Sequence, residues 1–248
     1  MPTLTILHTN DLHGKLTELA AEIIAREKAS CEPCLLVDCG DAISSGNIYY
    51  RLGGEPVISK MSDIGYDAMA MGNREFHFME MGLKSKVSLA RFPVLCANLR
   101  KRDGDAVADG VRPSIELQVG DVRVALFGLT VPMITRKMVA SKFSPYWFED
   151  PLLTASEVVP ELRKRADIVI ALTHIGLHKD RELAASIDGI DLLVGGHTHA
   201  VLTEPEWIGS TAVVQAGWWG HYLGRTTIHL GEAKCRNQIR EELIDLRV

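Results

Sequence analysis

The 248-residue sequence has no window of 18 consecutive apolar residues, which excludes an ordinary helical membrane span. It has no basic excess either. The formal charge of −5 at pH 7 gives no support for a long-range field that gathers nucleic acid or anionic membrane. An anionic ligand has to be drawn in locally. Met1 and Pro2 lead straight into the strand-like stretch Thr3–His8, with no basic segment followed by an apolar run of the secretory kind. Five cysteines, an odd number with uneven spacing, do not make a disulfide framework, and the joint expectation is a reducing cytoplasm. Cys31-Glu-Pro-Cys34 is the only CxxC. It follows a helical pattern and precedes a strand, so two plain loop thiols are expected there rather than a redox or zinc pair. There is no internal repeat, low-complexity tract or long linker, so residues 1–248 are expected to form a single domain. A domain of this size buries roughly three quarters of its unfolded surface without cross-links.

What is present is an alternation of apolar, β-rich runs with helical patterns. Strands are expected at Leu4–Leu7, Leu35–Val37, Ala68–Met71, Val94–Ala97, Ile115–Val119, Val122–Leu129, Ile168–Leu172, Leu192–Val194, Ala212–Gln215 and Arg225–Leu230. Leu16, Leu19, Ala20, Ile23 and Ile24 fall at helical spacing, and further helices fit Pro56–Asp63, Glu75–Leu89, Thr154–Arg165 and Lys179–Ser186, with Pro160 a possible kink. Gly120-Asp121 between two alternating runs signals a tight hairpin, so part of the sheet is antiparallel. Arg100–Gly110 and Pro132–Pro151 read as irregular loops.

Five of the apolar strands end in short clusters of Asp, Asn or His, and strand ends are where α/β sites gather. The clusters are His8-Thr-Asn-Asp11-Leu-His13-Gly14, Asp38-Cys-Gly-Asp41, Gly72-Asn73-Arg74-Glu75, Thr173-His174-Ile-Gly176 and Gly195-Gly196-His197-Thr-His199. In extended chain, residues at i and i+2 point to one side, so Asp11 with His13, and His197 with His199, could each grip one ion. Singly, each cluster has a plain structural explanation as a turn or cap. Carboxylate, amide and imidazole donors together suit divalent Mn, Fe, Co or Zn better than an all-oxygen magnesium or calcium cage. Two such ions roughly 3.5–4 Å apart would lower the pKa of a bridging water, bind phosphate oxygens and stabilise in-line displacement at phosphorus.

In this order the five clusters resemble the signature of the calcineurin-like metallophosphoesterases, and their wording (LHTNDLHG, CGDA, GNREF, LTHIG, GGHTH) resembles the 5′-nucleotidase branch. GLTVP at 128–132 and QAGWWGHYLGR at 215–225 extend the resemblance over nearly the whole chain. It implies an α/β sandwich of two mixed β-sheets flanked by helices, with a dinuclear metal site at strand ends. Asp11, His13, Asp41 and His199 would hold one metal; Asp41, Asn73, His174 and His197 would hold the other, with Asp41 as the bridge and Asp38 structural. The implied reaction is hydrolysis of a small phosphorylated substrate, a phosphomonoester such as a nucleotide, with a phosphodiester or cyclic nucleotide as the alternative. No nucleic-acid polymer or membrane partner is indicated, and oligomeric state is not legible.

Two departures from the family pattern stand out. Its GNHE histidine and the aspartate three residues on are here Arg74 and His77. Arginine stays protonated, so it can pair with phosphate but cannot act as a general acid. His77, expected one helical turn along on Arg74's face, is a candidate to inherit that role. A protein that binds metal and phosphate with weakened turnover is therefore the rival reading. The related extracellular enzymes also carry a base-stacking C-terminal domain, whereas here Trp218, Trp219 and His221, or Trp147 and Phe148, are the candidate wall for substrate.

Overall fold

A computed structural model describes residues 3–102, 110–231 and 238–248. In chain order the elements are β1 (Thr3–Thr9), α1 (Glu18–Ala29), β2 (Cys34–Asp38), α2 (Pro56–Ile64), β3 (Ala68–Ala70), α3 (Glu80–Val87), β4 (Val94–Leu95), β5 (Leu99–Lys101), β6 (Val111–Arg112) and β7 (Ser114–Val119). There follow β8 (Val122–Thr130), β9 (Tyr146–Phe148), α4 (Pro151–Arg163), β10 (Ile168–His174), α5 (Leu177–Ser186), β11 (Leu192–Val194), β12 (Glu206–Ile208), β13 (Thr211–Val214), β14 (Tyr222–His229) and β15 (Gln238–Asp245). They build two mixed sheets, ordered β15-β14-β1-β2-β3-β4-β6 and β12-β13-β11-β10-β8-β7, with β5 and β9 as a separate pair.

The period-2 alternation of each strand decides the layering. Leu4, Ile6, Leu35, Val37, Ala68 and Ala70 turn to the other sheet, where they meet Val124, Leu126, Ile168, Ile170, Leu192 and Val194. The alternate residues Leu7, Leu36 and Met69 face outward onto Ile23, Ile24, Ile58, Met61 and Leu83 of α1 to α3. Ala125, Phe127, Val169, Ala171 and Leu193 of the second sheet cover Ala155, Val159 and Leu162 of α4 and Leu183 of α5. The result is a four-layer helix–sheet–sheet–helix sandwich, as expected. Gly128 is required by the sheet contact, since a Cβ there would strike the Leu95 carbonyl.

Local chemistry explains most boundaries. Thr17 caps α1 by accepting from the Ala20 amide at 3.1 Å. Asp150 caps α4 through the Leu152 and Leu153 amides, starting that helix at Pro151, three residues before its apolar pattern. Gly120-Asp121 does close a two-residue hairpin between β7 and β8, with Val119 opposite Val122. Three expectations are corrected. The helix expected over Glu75–Leu89 begins only at Glu80, because the Glu75 carboxylate turns inward to the amides of Asp41, Gly72 and Ile43 and Met79 is extended. The loop expected over Pro132–Pro151 contains β9, which pairs with β5. Asp11, His13, His197 and His199 are not in extended chain at all; each has positive φ. The stretch Arg100–Gly110 lies largely outside the described residues.

Asp180, in the first turn of α5, is fully buried, with Oδ1 accepting from Thr173 Oγ1 at 2.6 Å. Burial, opposed by that hydrogen bond and the charge of His174, pushes its carboxyl up from 3.8 to about 7. A carboxyl raised in the folded state contributes stability below its unfolded pKa and loses it as pH rises through the folded value. Thermal or urea unfolding is therefore expected to show wild type losing up to about 4 kcal/mol relative to Asp180→Asn between pH 4 and 7. A difference that stays flat across this window overturns the assignment.

Candidate metal centre

The C-terminal ends of β1, β2, β3, β10 and β11 converge, and the chain beyond them is knitted by backbone bonds. Asp11 N donates to Gly40 O at 3.0 Å, His13 N to Asp41 O at 2.9 Å and Gly14 N to Ala42 O at 2.7 Å. Gly40 sits at φ 89°, and a Cβ there would press on the Gly72 backbone and on His174 Nδ1. Only glycine allows these three loops to approach so closely.

Two groups of side chains follow. Asp11, His13 and His199 form one: His199 Nε2 lies 3.3 Å from Asp11 Oδ1 and 3.2 Å from His13 Nε2. Asp11, Asp41 and His174 form the other, with His174 Nε2 at 3.5 Å from Asp41 Oδ1 and 4.0 Å from Asp11 Oδ1. Asp11 is thus common to both. Asn73 Oδ1 and His197 Nδ1 lie 3.0 Å apart. All seven sequence-predicted ligands are placed at this one edge of the two sheets.

The polar accounting points to a cation. Asp11 Oδ2 is satisfied by Asn10 Nδ2 and the His197 amide, both at 2.8 Å, but its buried Oδ1 accepts nothing. His174 Nδ1 donates to the Cys39 carbonyl at 2.7 Å, which leaves the buried Nε2 without a hydrogen-bond partner. Such a backbone contact sets the tautomer of a metal-binding histidine. His13 Nδ1 is likewise buried and unpartnered. Buried carboxylate and imidazole atoms without hydrogen-bond partners are costly unless a cation lies among them. The donor set fits a divalent metal.

The charges agree. Burial, then the Arg74 cation, hold His13 below its ordinary value, which favours the neutral form of the imidazole that binds metal. Burial acts to lower His174, but the Asp41 and Asp11 carboxylates outweigh it and raise the residue to about 9, so in the metal-free protein Nε2 holds a proton beside the two carboxylates, in the place a bound cation would take. Burial acts to raise Asp41, but His174 and the Arg74 amide hold it below the usual carboxylate range.

Backbone strain marks the same residues. Among the described residues six non-glycines have positive φ: Asp11, His13, Asp41, His197, His199 and Trp219, at 48° to 74°. Each costs about 1 kcal/mol or more in that region, and such strain concentrates where function demands a geometry. Five of the six are expected ligands. No periodicity in the sequence signals this.

Around them the structure places the remaining candidates. Arg74 sets its Nε 3.4 Å from Asp41 Oδ2 and donates Nη1 to Ser44 O, so it faces the cluster rather than Glu75 or Glu80. His77 does not share a helix face with Arg74. It is 1 % exposed, stacks on Phe78, meets Tyr50 edge-on, and its Nδ1 accepts from Met79 N at 3.0 Å. The missing helical turn between Glu75 and Met79 is the reason. Trp218 stacks on His199 with ring centres 5.8 Å apart, and His221 lies 5.5 Å from Trp218. Phe148 is core, packed on Phe76, and Trp147 lies under Arg136. Asp38 is structural: fully buried, it accepts from Thr9 Oγ1 and Gly40 N. Cys34 is not activated, since burial and then Cys31 push its thiol up to about 11.

Sequence reasoning missed three supporting residues. Asn10 ties Asp11 to Gly217 O and Ala216 N. Glu75 gathers three amides. Lys86, fully buried, donates to the carbonyls of Gly46, Arg74 and Phe76. The conspicuous sequence signal, an acid or amide beside a ligand, existed only for the first two.

Fold and site together have the arrangement of a metallophosphoesterase-type sandwich with a candidate metal centre at its strand ends. The profile of the family described as Calcineurin-like phosphoesterase matches residues 4–201, and the chain belongs to that family. It is 31% identical over 268 residues to the trifunctional nucleotide phosphoesterase protein YfkN of Bacillus subtilis, covering 92% of this chain and 18% of that protein. A snake venom 5′-nucleotidase of Gloydius brevicauda is 32% identical over 269 residues, covering 89% of this chain and 44% of the venom protein. Among solved structures, a 5′-nucleotidase precursor from Thermus thermophilus superposes with a TM-score of 0.79 at 25% identity, covering 98% of this chain and 55% of that one. The chain spans about half or less of the length of these relatives.

Proposed function

We propose that this chain hydrolyses a phosphomonoester, with nucleotides as the first substrate class, at a centre of two divalent ions. The observation that carries the reading is the pair of buried atoms without hydrogen-bond partners, Asp11 Oδ1 and His174 Nε2, inside a cluster of strained acids and histidines. Asp11, His13, Asp41 and His199 would hold one ion; Asp41, Asn73, His174 and His197 would hold the other. Mn, Fe, Co and Zn suit these donors. When bound, such ions supply Lewis acidity toward phosphate oxygens and an activated water. The 5′-nucleotidase relatives support the substrate class.

The chain's own residues do the rest. Arg74 keeps its guanidinium beside Asp41, 35 % exposed, where it can pair with a phosphate oxygen and stabilise developing charge. It cannot protonate a leaving group. Trp218 stacks on His199, and Trp219 and His221 pack against Trp218. One observation favours the rival reading of a metal- and phosphate-binding protein with weakened turnover: His77, the candidate acid, packs away from the ligands. General acid catalysis contributes about 10²–10⁴-fold, so esters with good leaving groups should be cleaved far better than alkyl esters.

Metal-loaded protein is expected to bind two ions per chain and to hydrolyse a chromogenic aryl phosphate, and to lose that activity on chelation. Two bound ions with no cleavage of aryl mono- or diesters or nucleotides across pH and metals would favour the rival. A gain of activity in Arg74→His would support it further.

A further inference from the structure

Five of the six strained residues are expected metal ligands; the sixth, Trp219 at φ 59°, has no donor for a metal and is 48 % exposed. Glycine would take that backbone without strain, so the turn itself does not call for an indole. The Trp219 amide donates to Asp11 O at 2.8 Å, which fixes the residue to the metal cluster. Its ring borders a cavity of about 730 Å³ lined also by Lys15, Thr17, Leu19, His221 and Arg247. Trp218 connects this cavity to the cluster, with its ring centre 5.8 Å from that of His199 and 6.4 Å from that of Trp219. Arg247 is engaged by Asp245 and Tyr222. The Lys15 ammonium makes no ion pair among the described residues, which leaves one cation to attract an anionic ligand.

We infer that this cavity is a recognition subsite for the group esterified to phosphate, in which a planar, nucleobase-sized ring stacks on Trp219. The inference rests on the phosphoester-hydrolase reading and adds where the leaving group is read: on residues of this chain beside the cluster. An exposed indole offers a π-face to any base, and base–aromatic stacking changes affinity by roughly tenfold or more. The two ring-to-ring steps, His199 to Trp218 and Trp218 to Trp219, set the cavity beside the cluster, which is where the group esterified to a phosphate held there would lie.

Trp219→Gly deletes the ring and accepts the positive φ, so it removes the stack without straining the turn; Trp219→Phe is the conservative partner. In equilibrium dialysis with the metal-loaded protein, adenosine, which has no phosphoester to cleave, is expected to bind wild type and Trp219→Phe and to bind Trp219→Gly about tenfold more weakly. The ratio of kcat/KM for adenosine 5′-monophosphate over ribose 5-phosphate is expected to fall about tenfold in Trp219→Gly. Adenosine that does not bind wild type, or binds Trp219→Gly equally, overturns the subsite. Adenosine binding that depends on Trp219 in a protein that cleaves no ester keeps the subsite and overturns the hydrolase reading instead.

Discussion

Replacing His199 with glycine is expected to abolish metal-dependent turnover while leaving the metal-free fold standing. The residue sits at φ 58°, and its ring is partly exposed, so its contribution to packing is small. Glycine relieves the left-handed strain and gives back a similar amount in chain entropy, so metal-free stability should change by no more than about 1 kcal/mol. The loss of function should exceed the roughly 10–100-fold that removal of an outer partner costs. Asn10→Ala, which removes such a partner from Asp11, supplies that comparison. Thermal shift with and without added metal separates the two effects: wild type should gain stability on loading, by mass action, and His199→Gly should gain much less. A variant that keeps both the metal-induced shift and turnover would remove His199 from the ligand set.

Lys86→Met should be the most damaging substitution outside the ligands. The Lys86 ammonium donates at 2.8, 2.5 and 3.2 Å to the carbonyls of Gly46, Arg74 and Phe76, and so ties the segment after Asp41 to the segment that presents Asn73 and Arg74. Burial pulls it down to about 8, yet at pH 7 it stays charged. Methionine keeps the volume and leaves three carbonyls without their donor, at a cost of about 3 kcal/mol or more in unfolding free energy. The same loosening should lower affinity for inorganic phosphate, because Arg74 is carried on the freed segment. Equilibrium unfolding and phosphate titration test the two consequences separately. Unchanged stability would show that solvent or rearranged loops replace the ammonium.

The ligands were legible as residue types at strand ends, and within each sheet their convergence follows because parallel strands end on one side; that the two sheets bring those ends together was legible only through the family resemblance. The sheet partners of short elements were not. β4 and β6 are two residues each, and β12 is half exposed, too brief or too polar for a period to register. His77 illustrates the same limit at the site. Its spacing from Arg74 suits a helix, and only the inward turn of Glu75, toward amides more than thirty positions away in sequence, shows that no helix exists there.

The sequence alone determined the mixed α/β order and the five clusters, because alternation and strand-end polarity are local patterns that any consistent fold must honour; the sandwich class and the departure at Arg74 were legible only through the resemblance to the metallophosphoesterases. The tertiary structure decided which lone pairs are left bare, which residues are forced to positive φ, and which cation braces the loops. Those properties depend on neighbours far apart in the chain: the Asp11 carboxylate is completed by the amide of His197, and the tautomer of His174 is set by the carbonyl of Cys39. Burial and hydrogen-bond satisfaction are properties of the assembled sheets, and no window of sequence contains them.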